Sequence, residues 1–260
     1  MLPLQRKQAL LAYLADKGAA TLKEMSDRFG VSEMTIRRDL NALEQENRIR
    51  RSHGGAVYEE QKQEISQDEP EIEAKQAVNQ DIKERLAAYA AQRFVRSGDT
   101  IVLENGTTVS RMAERLAHLD QLTILTNGID TISRFRPYAT DNRMIISCGG
   151  MFRDISGTFV GPMAEEFFSR FHADTLFLSA LGYTPEAGFT DPNLMDTQVK
   201  KIMMRSAKKV VMLLDSSKIG KRFFSPVAAL TDIHVFVTDD NLTHDHRKLI
   251  EESGVELHII

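Results

Sequence analysis

"TIVLENGTTVSRMAERL" (residues 100–116) reads in three parts. Residues 101–103 form a short apolar run that suits a buried strand, and Asn105, Gly106, Thr107 and Thr108 form a turn. Val109, Met112, Ala113 and Leu116 then recur at helical spacing. A Gly-Thr-Thr turn at a helix start aims backbone N–H groups and two hydroxyls at one spot, which favours an anion. In a parallel sheet such a turn lies beyond the carboxyl end of a strand, where open α/β folds bind ligands.

The same rhythm fills the chain from Asp99 onward. The runs "TIVLE", "LTILT", "MIISC", "TLFLSA", "VVMLL", "VFVT" and "ELHII" alternate with helical segments. That alternation implies βαβ units and a mostly parallel sheet covered on both faces, so an α/β, Rossmann-like domain is expected. Strand ends of a parallel sheet gather on one edge. The expected ligand contacts are therefore Asn105, Gly106, Thr107 and Thr108, then Thr126 and Asn127 after "LTILT". Gly149 and Gly150 follow "MIISC", and Asp215 and Lys218 follow "VVMLL". Lys218 offers a phosphate positive charge, and Asp215 can accept from a sugar hydroxyl. Helix capping explains any one of these turns alone; their recurrence at four strand ends points to one ligand.

The start of the chain differs in kind. Residues 1–57 hold ten Lys/Arg against seven Asp/Glu, a local +3, and the rest holds 23 against 30, or −7, within a 260-residue chain of net charge −4. A basic module on an acidic body suggests two kinds of partner. Leu4, Leu10, Leu11 and Leu14 share a helical spacing that Gly18 stops, and Thr21 with Glu24 makes a capping box for a second helix ending at Gly30. Ser32 caps a third helix, in which Ile36, Leu40 and Leu43 repeat on one face. "IRRSHGGAV" (residues 49–57) then suits two short strands around a Gly-Gly turn. Three short helices and a β-wing make a winged helix-turn-helix.

Opposite the apolar face of the third helix stand Met34, Arg38 and Asn41, with Thr35 and Arg37 on its flanks. Arginine forks read guanine in the major groove, and Ser32 and Thr35 are of types that contact phosphate or a thymine methyl. Arg50, Arg51 and His53 of the wing are placed for phosphate or the minor groove. The plainer alternative is a solvated face whose arginines pair with Asp39 or Glu44. Residues 59–80, rich in Gln and Glu, read as a linker running into a helix from about 71 to 96. The expected organisation is a winged helix-turn-helix domain over 1–57, a linker over 58–75 and an effector-sensing α/β domain over 76–260.

"TIRRDLNALE" and "IRRSHGGAV", after "RKQALLAYLADKGAATLKEMSDRFGVS", closely resemble the DNA-binding domain of the DeoR family of bacterial transcriptional regulators, over residues 5–57. In that family the Thr-Ile-Arg-Arg-Asp-Leu run is the recognition helix and the His-Gly-Gly-Ala wing follows it. Asn47 stands where the family commonly has Gly, and Asn is the next-best residue at a left-handed helix stop. "ENGTT", "TNG", "CGG…GTFVGPMAEE", "GFTDPNLMDTQVKKIMM" and "DSSKIGKR…TDIHVFVTD" resemble the family's carboxy-terminal sensor domain. That resemblance implies a fold similar to ribose-5-phosphate isomerase and a phosphorylated sugar or sugar-derived effector. Glu104-Asn105 stands where Asp is common and Asp196 where Glu is typical, two departures that bear on which hydroxyls are read.

The function expected is a DNA-binding transcriptional regulator, a repressor of a sugar-metabolism operon controlled by a phosphorylated sugar. A helix-turn-helix monomer covers few base pairs, so a homo-oligomer, dimer or tetramer, is expected on double-stranded operator DNA. The rival is a sugar-phosphate isomerase-like enzyme with a DNA-binding appendage. Glu104, Asp191, Asp196 and Asp215 are carboxylates of the type a general base needs, but none falls in a recognisable isomerase motif, so no enzyme is expected. No cofactor and no metal is expected either: His244 and His246 lie in a polar turn without a third ligand nearby. Cys148, the single cysteine, excludes an internal disulfide and reads as a small core residue. No apolar run approaches the roughly 20 residues of a membrane span, so a cytoplasmic protein without membrane contact is expected.

Overall fold

The computed structural model describes residues 3–45, 49–52, 54–58, 65–66 and 68–260, with the side chains at 3, 4, 8 and 45 outside that description. His53, Asn47 and the side chain of Leu4 therefore lie outside the described residues. The chain divides into two compact units, Met1–Glu64 and Ile65–Ile260.

The first unit contains α1 (Pro3–Lys17), β1 (Ala19–Thr21), α2 (Leu22–Phe29), α3 (Glu33–Gln45), β2 (Ile49–Ser52) and β3 (Gly55–Tyr58). Its core is Leu10 and Leu14 from α1, Leu22 and Met25 from α2, and Ile36, Leu40 and Leu43 from α3, closed by Ile49 and Ala56. The capping box forms: Glu24 N–H donates to Thr21 Oγ1 at 3.2 Å, and Thr21 N–H donates to Glu24 Oε2 at 2.8 Å. Gly30 ends α2 in the left-handed conformation at φ 62°. The wing has three antiparallel strands in the order β1–β3–β2, one more than the two expected, because residues 19–21 pair with β3 before α2 begins. A Cβ at Gly55 would lie 2.3 Å from the Ala20 carbonyl, so that close pairing requires glycine.

The second unit opens with α4 (Ile72–Ala77) and α5 (Gln80–Phe94). The single helix expected over about 71–96 is thus two, broken where Asn79 adopts a left-handed φ of 53°. Next come β4 (Thr100–Leu103), α6 (Met112–Arg115), β5 (Leu122–Thr126), α7 (Ile129–Phe135), β6 (Arg143–Ser147), β7 (Met151–Arg153) and β8 (Thr158–Val160). They are followed by α8 (Pro162–Ser169), β9 (Ala173–Leu178), β10 (Gly182–Thr184), β11 (Gly188–Asp191), α9 (Leu194–Ser206) and β12 (Ala207–Leu213). The chain finishes with β13 (Ser225–Ala228), β14 (Val235–Thr238), α10 (His244–Glu252) and β15 (Glu256–Ile259).

The seven apolar runs named from sequence form one parallel sheet in the order β6–β5–β4–β9–β12–β14–β15. Alternate residues serve opposite faces, as a pleated strand requires. Ile101, Leu103, Phe177, Val211 and Val237 pack with α5, α6 and α7, while Val102, Leu176, Leu178, Met212 and Phe236 pack with α8, α9 and α10. The α/β, Rossmann-like fold class expected from sequence is the one found. After β6 the chain returns to the other side of β4, so the order reverses between β4 and β9. In open α/β sheets that switch point opens a crevice at the carboxyl strand ends.

Candidate functional site

The crevice between β4 and β9 is a cavity built from three strand ends. Residues 104–108 follow β4, residues 179–181 follow β9, and Leu214, Asp215 and Lys218 follow β12. Ser156 and Thr158 come from the turn into β8, Asp191 and Asn193 from the turn into α9, and Asp196 and Lys200 from α9 itself. Glu69, Ile72 and Lys75 ahead of and on α4, with Lys83 on α5, complete the wall.

Two glycines set the approach distances. A Cβ at Gly106 would lie 1.8 Å from Ser179 Oγ, and one at Gly128 would lie 1.9 Å from Asn105 Oδ1. Asn105 fills the space above Gly128, and its Nδ2 donates to the carbonyls of Ser156 (3.0 Å) and Gly157 (2.9 Å), holding the turn that brings Ser156 and Thr158 inward. The helix expected after Thr108 is a 3-10 turn over Val109–Arg111 followed by the four-residue α6, so the dipole contributes little to an anion site here. The N–H groups of Thr107 and Thr108 nonetheless have no acceptor among the described residues.

The charges fall into two sets. Lys200, 6% exposed, lies 2.6 Å from Asp191 Oδ2 and 3.2 Å from Glu104 Oε1 and donates to the Ser179 carbonyl at 2.9 Å. Burial opposes its charge, but Asp191 and Glu104 outweigh burial and hold the ammonium above the ordinary lysine range. Burial raises the pKa of the Glu104 carboxyl, against the pull of Lys200. Burial also raises that of Asp196, which accepts from Thr158 Oγ1 at 2.7 Å and pairs with Arg153. Arg153 in turn binds Glu69 at 2.6 Å, and Asp215 accepts from Asn79 Nδ2 at 3.0 Å. Every carboxylate of the wall thus has a donor.

The other set is cationic. Lys75, Lys83 and Lys218 form no ion pair among the described residues. Burial lowers the pKa of each, that of Lys83 to about 8, and both Lys83 and Lys218 feel the charge of Lys75. Lys83 donates to the Lys75 carbonyl, and three converging ammonium groups with depressed pKa values and no ion pair among the described residues favour an anion beside residues 106–108.

Of the residues expected from sequence, Asn105, Gly106, Thr107, Thr108, Asp215 and Lys218 line this cavity. Thr126, Asn127, Gly149 and Gly150 do not. The Thr126 hydroxyl donates to the Leu103 carbonyl at 2.7 Å, tying β5 to β4, and Asn127 is buried beside it. Gly149 and Gly150 follow β6, the edge strand two places from β4, and are not among the residues that line the cavity. Sequence reading missed Lys200, Ser179, Lys75, Lys83 and Glu69 as wall residues. Each is a common surface type; the adjacency of β9 to β4 turns Ser179 and Lys200 inward, and the packing of residues 69–83 over the strand ends turns in Glu69, Lys75 and Lys83.

In the first unit, Asp39 is taken by Arg6 at 2.6 Å and Glu44 accepts the Arg51 N–H at 3.1 Å. Arg37 and Arg38 are therefore exposed without an ion pair among the described residues, beside Met34, which is 74% exposed, and Asn41. The Arg51 guanidinium donates to the Asn41 side-chain oxygen, joining wing to helix, and Arg50 is exposed on β2. Ser32 Oγ accepts from the Thr35 N–H at 3.3 Å as the α3 cap. Cys148 is buried, and burial pushes its thiol up to about 12. Among the described residues no cluster of three or more His, Cys, Asp or Glu could hold a metal, and no helix is long and apolar enough to cross a membrane.

Residues 6–62 match the family model of the DeoR-like helix-turn-helix domain, and residues 78–240 match that of the DeoR C terminal sensor domain. The chain is 35% identical to the uncharacterized HTH-type transcriptional regulator YulB of Bacillus subtilis, over 99% of this chain and 96% of that protein. It is 31% identical to the lactose phosphotransferase system repressor of Staphylococcus epidermidis, over 93% of each. Among solved structures, ribose 5-phosphate isomerase from Plasmodium falciparum aligns with a TM-score of 0.38 at 17% identity, over 53% of this chain and 52% of that one.

Proposed function

This chain belongs to the DeoR family of transcriptional regulators, and on that premise we propose that it represses a sugar-metabolism operon until a phosphorylated sugar enters the β4–β9–β12 cavity. The observation that carries this is the placing of Lys75, Lys83 and Lys218 around residues 106–108 without an ion pair among the described residues, in a wall whose carboxylates each already have a donor. The phosphate goes to the three lysines and the Thr107 and Thr108 N–H groups. The sugar hydroxyls go toward Ser156, Thr158, Asn193 and Asp196. A relative named as a lactose phosphotransferase system repressor supports a sugar-linked signal.

The DNA contacts are Arg37, Arg38, Thr35, Ser32, Met34 and Asn41 in the major groove, with Arg50, Arg51 and His53 on the backbone or minor groove. The protein acts in the cytoplasm as a homodimer or tetramer on paired half-sites, with its operator-binding domain over 1–57, a linker over 58–75 and its sensor over 76–260. We read the cavity as a sensor rather than a catalytic centre, because Glu104 and Asp191 are both engaged by Lys200 and neither is available as a base.

A thermal-shift screen against phosphorylated sugars tests the reading. A ligand at a hundredfold its Kd adds about 2.7 kcal/mol, raising Tm by about 5–10 °C in a unit of this size. Lys218→Ala should abolish the rise. A response only to unphosphorylated sugars would defeat the proposal.

A further inference from the structure

One wall of the cavity comes from outside the sheet. Glu69, Ile72 and Lys75 precede α5 and face the same space as residues 106–108 and Lys218. The segment carrying them is fastened to the sensor unit along its length. Ser66 bridges Phe223, Glu69 binds Arg153 at 2.6 Å, and Ile72 is 8% exposed. Gln76 Nε2 donates to Asp130 Oδ2 at 2.7 Å, and Asn79 Nδ2 donates to Asp215 and to Ser217 Oγ (3.2 Å) on the turn that bears Lys218. The side chain of Lys75 takes no part in this fastening: it makes no hydrogen bond or ion pair among the described residues. Burial lowers its pKa, with the charge of Glu69 in opposition.

A half-buried ammonium without a partner is a cost that a bound anion removes. The fastened segment offers Lys75 to the cavity and the unfastened one does not, so an anion binds the fastened arrangement better and must shift the segment toward it. We propose that residues 68–78 form a strap that senses the ligand, with Lys75 as an anion-binding residue and Glu69 as the latch that holds the strap through Arg153 when no ligand is present. The proposal rests on the reading of the cavity as an anion site. The strap follows the DNA-binding unit in sequence, so ligand binding fixes the first residues of the connection between them.

Hydrogen exchange of the full-length protein, read on the amides of residues 68–77 with inorganic phosphate as probe, tests this. Phosphate at ten times its Kd should slow exchange of the strap in the wild type by the ratio of its affinities for the fastened and unfastened arrangements, up to about tenfold. Lys75→Met should still show a phosphate-induced rise in Tm, through Lys83 and Lys218, but lose the protection; Lys75→Gln should do the same. Glu69→Gln should exchange faster than wild type without phosphate and recover protection with it. A Tm rise with no protection of the strap, or full protection in both Lys75 variants, overturns the strap and leaves the anion site standing. If neither phosphate nor any phosphorylated sugar raises Tm, the anion site itself fails, and the strap with it.

Discussion

Lys200 is buried between two carboxylates and a carbonyl, whereas Lys83, equally buried, donates to the Lys75 carbonyl alone. The first arrangement is self-contained: Lys200→Met leaves Glu104 and Asp191 uncompensated and should cost about 3–5 kcal/mol of stability, read by denaturant unfolding. The second is incomplete. Burial holds Lys83 near 8 in the folded protein, below its unfolded value, so between those values the unfolded state binds more protons and stability rises with pH. Lys83→Met should therefore raise the ligand-free Tm most below about pH 8 and progressively less above it, while weakening phosphate binding. Wild-type affinity for phosphate should fall as pH rises through that range. A flat difference in Tm across it would contradict the assignment. Arg37 and Arg38 belong to the same scale. Each, replaced by Ala, should cost about 1–3 kcal/mol of operator affinity and relax sequence preference at the base it reads.

At the scale of elements, the strands of the sheet were legible because each is a short apolar run between turn signals. α2 and α3 were legible because Thr21, Glu24 and Gly30 mark helix ends with side-chain chemistry. What was not legible depends on neighbours distant in sequence. β7, β8, β10, β11 and β13 span three or four residues each, too few to show a period. The break before α5 hangs on Asn79, whose left-handed backbone is clipped to Asp215 more than a hundred residues later. The strand order could not be read either, and it decides the site: placing β9 beside β4 brings in Ser179 and Lys200 and leaves the Gly149-Gly150 turn outside. "ENGTT" and "TNG" were read as parallel ligand contacts, yet Asn105 sits on Gly128 as a clamp. Gly128→Ala should displace Asn105, release residues 156–157, lower Tm and abolish the phosphate-induced shift. An unchanged shift would remove Asn105 from the account.

At the scale of the molecule, a basic helix-turn-helix unit and a sensor with a lysine-lined cavity lie on one chain. Coupling between them requires that the ligand prefer one state of the protein, and a ratio of ten in operator affinity corresponds to about 1.4 kcal/mol of that preference. Two-fold half-sites on the DNA would be spaced by about 34 Å, one helical turn, or a multiple of it. The deciding measurement is the affinity of the full-length protein for its operator, titrated with phosphorylated sugars in the wild type and in Lys218→Ala. One such sugar should weaken wild-type binding about tenfold or more, and Lys218→Ala should bind DNA normally but ignore the sugar. Loss of DNA binding to an unphosphorylated sugar, or a full response in Lys218→Ala, would contradict the sensor reading.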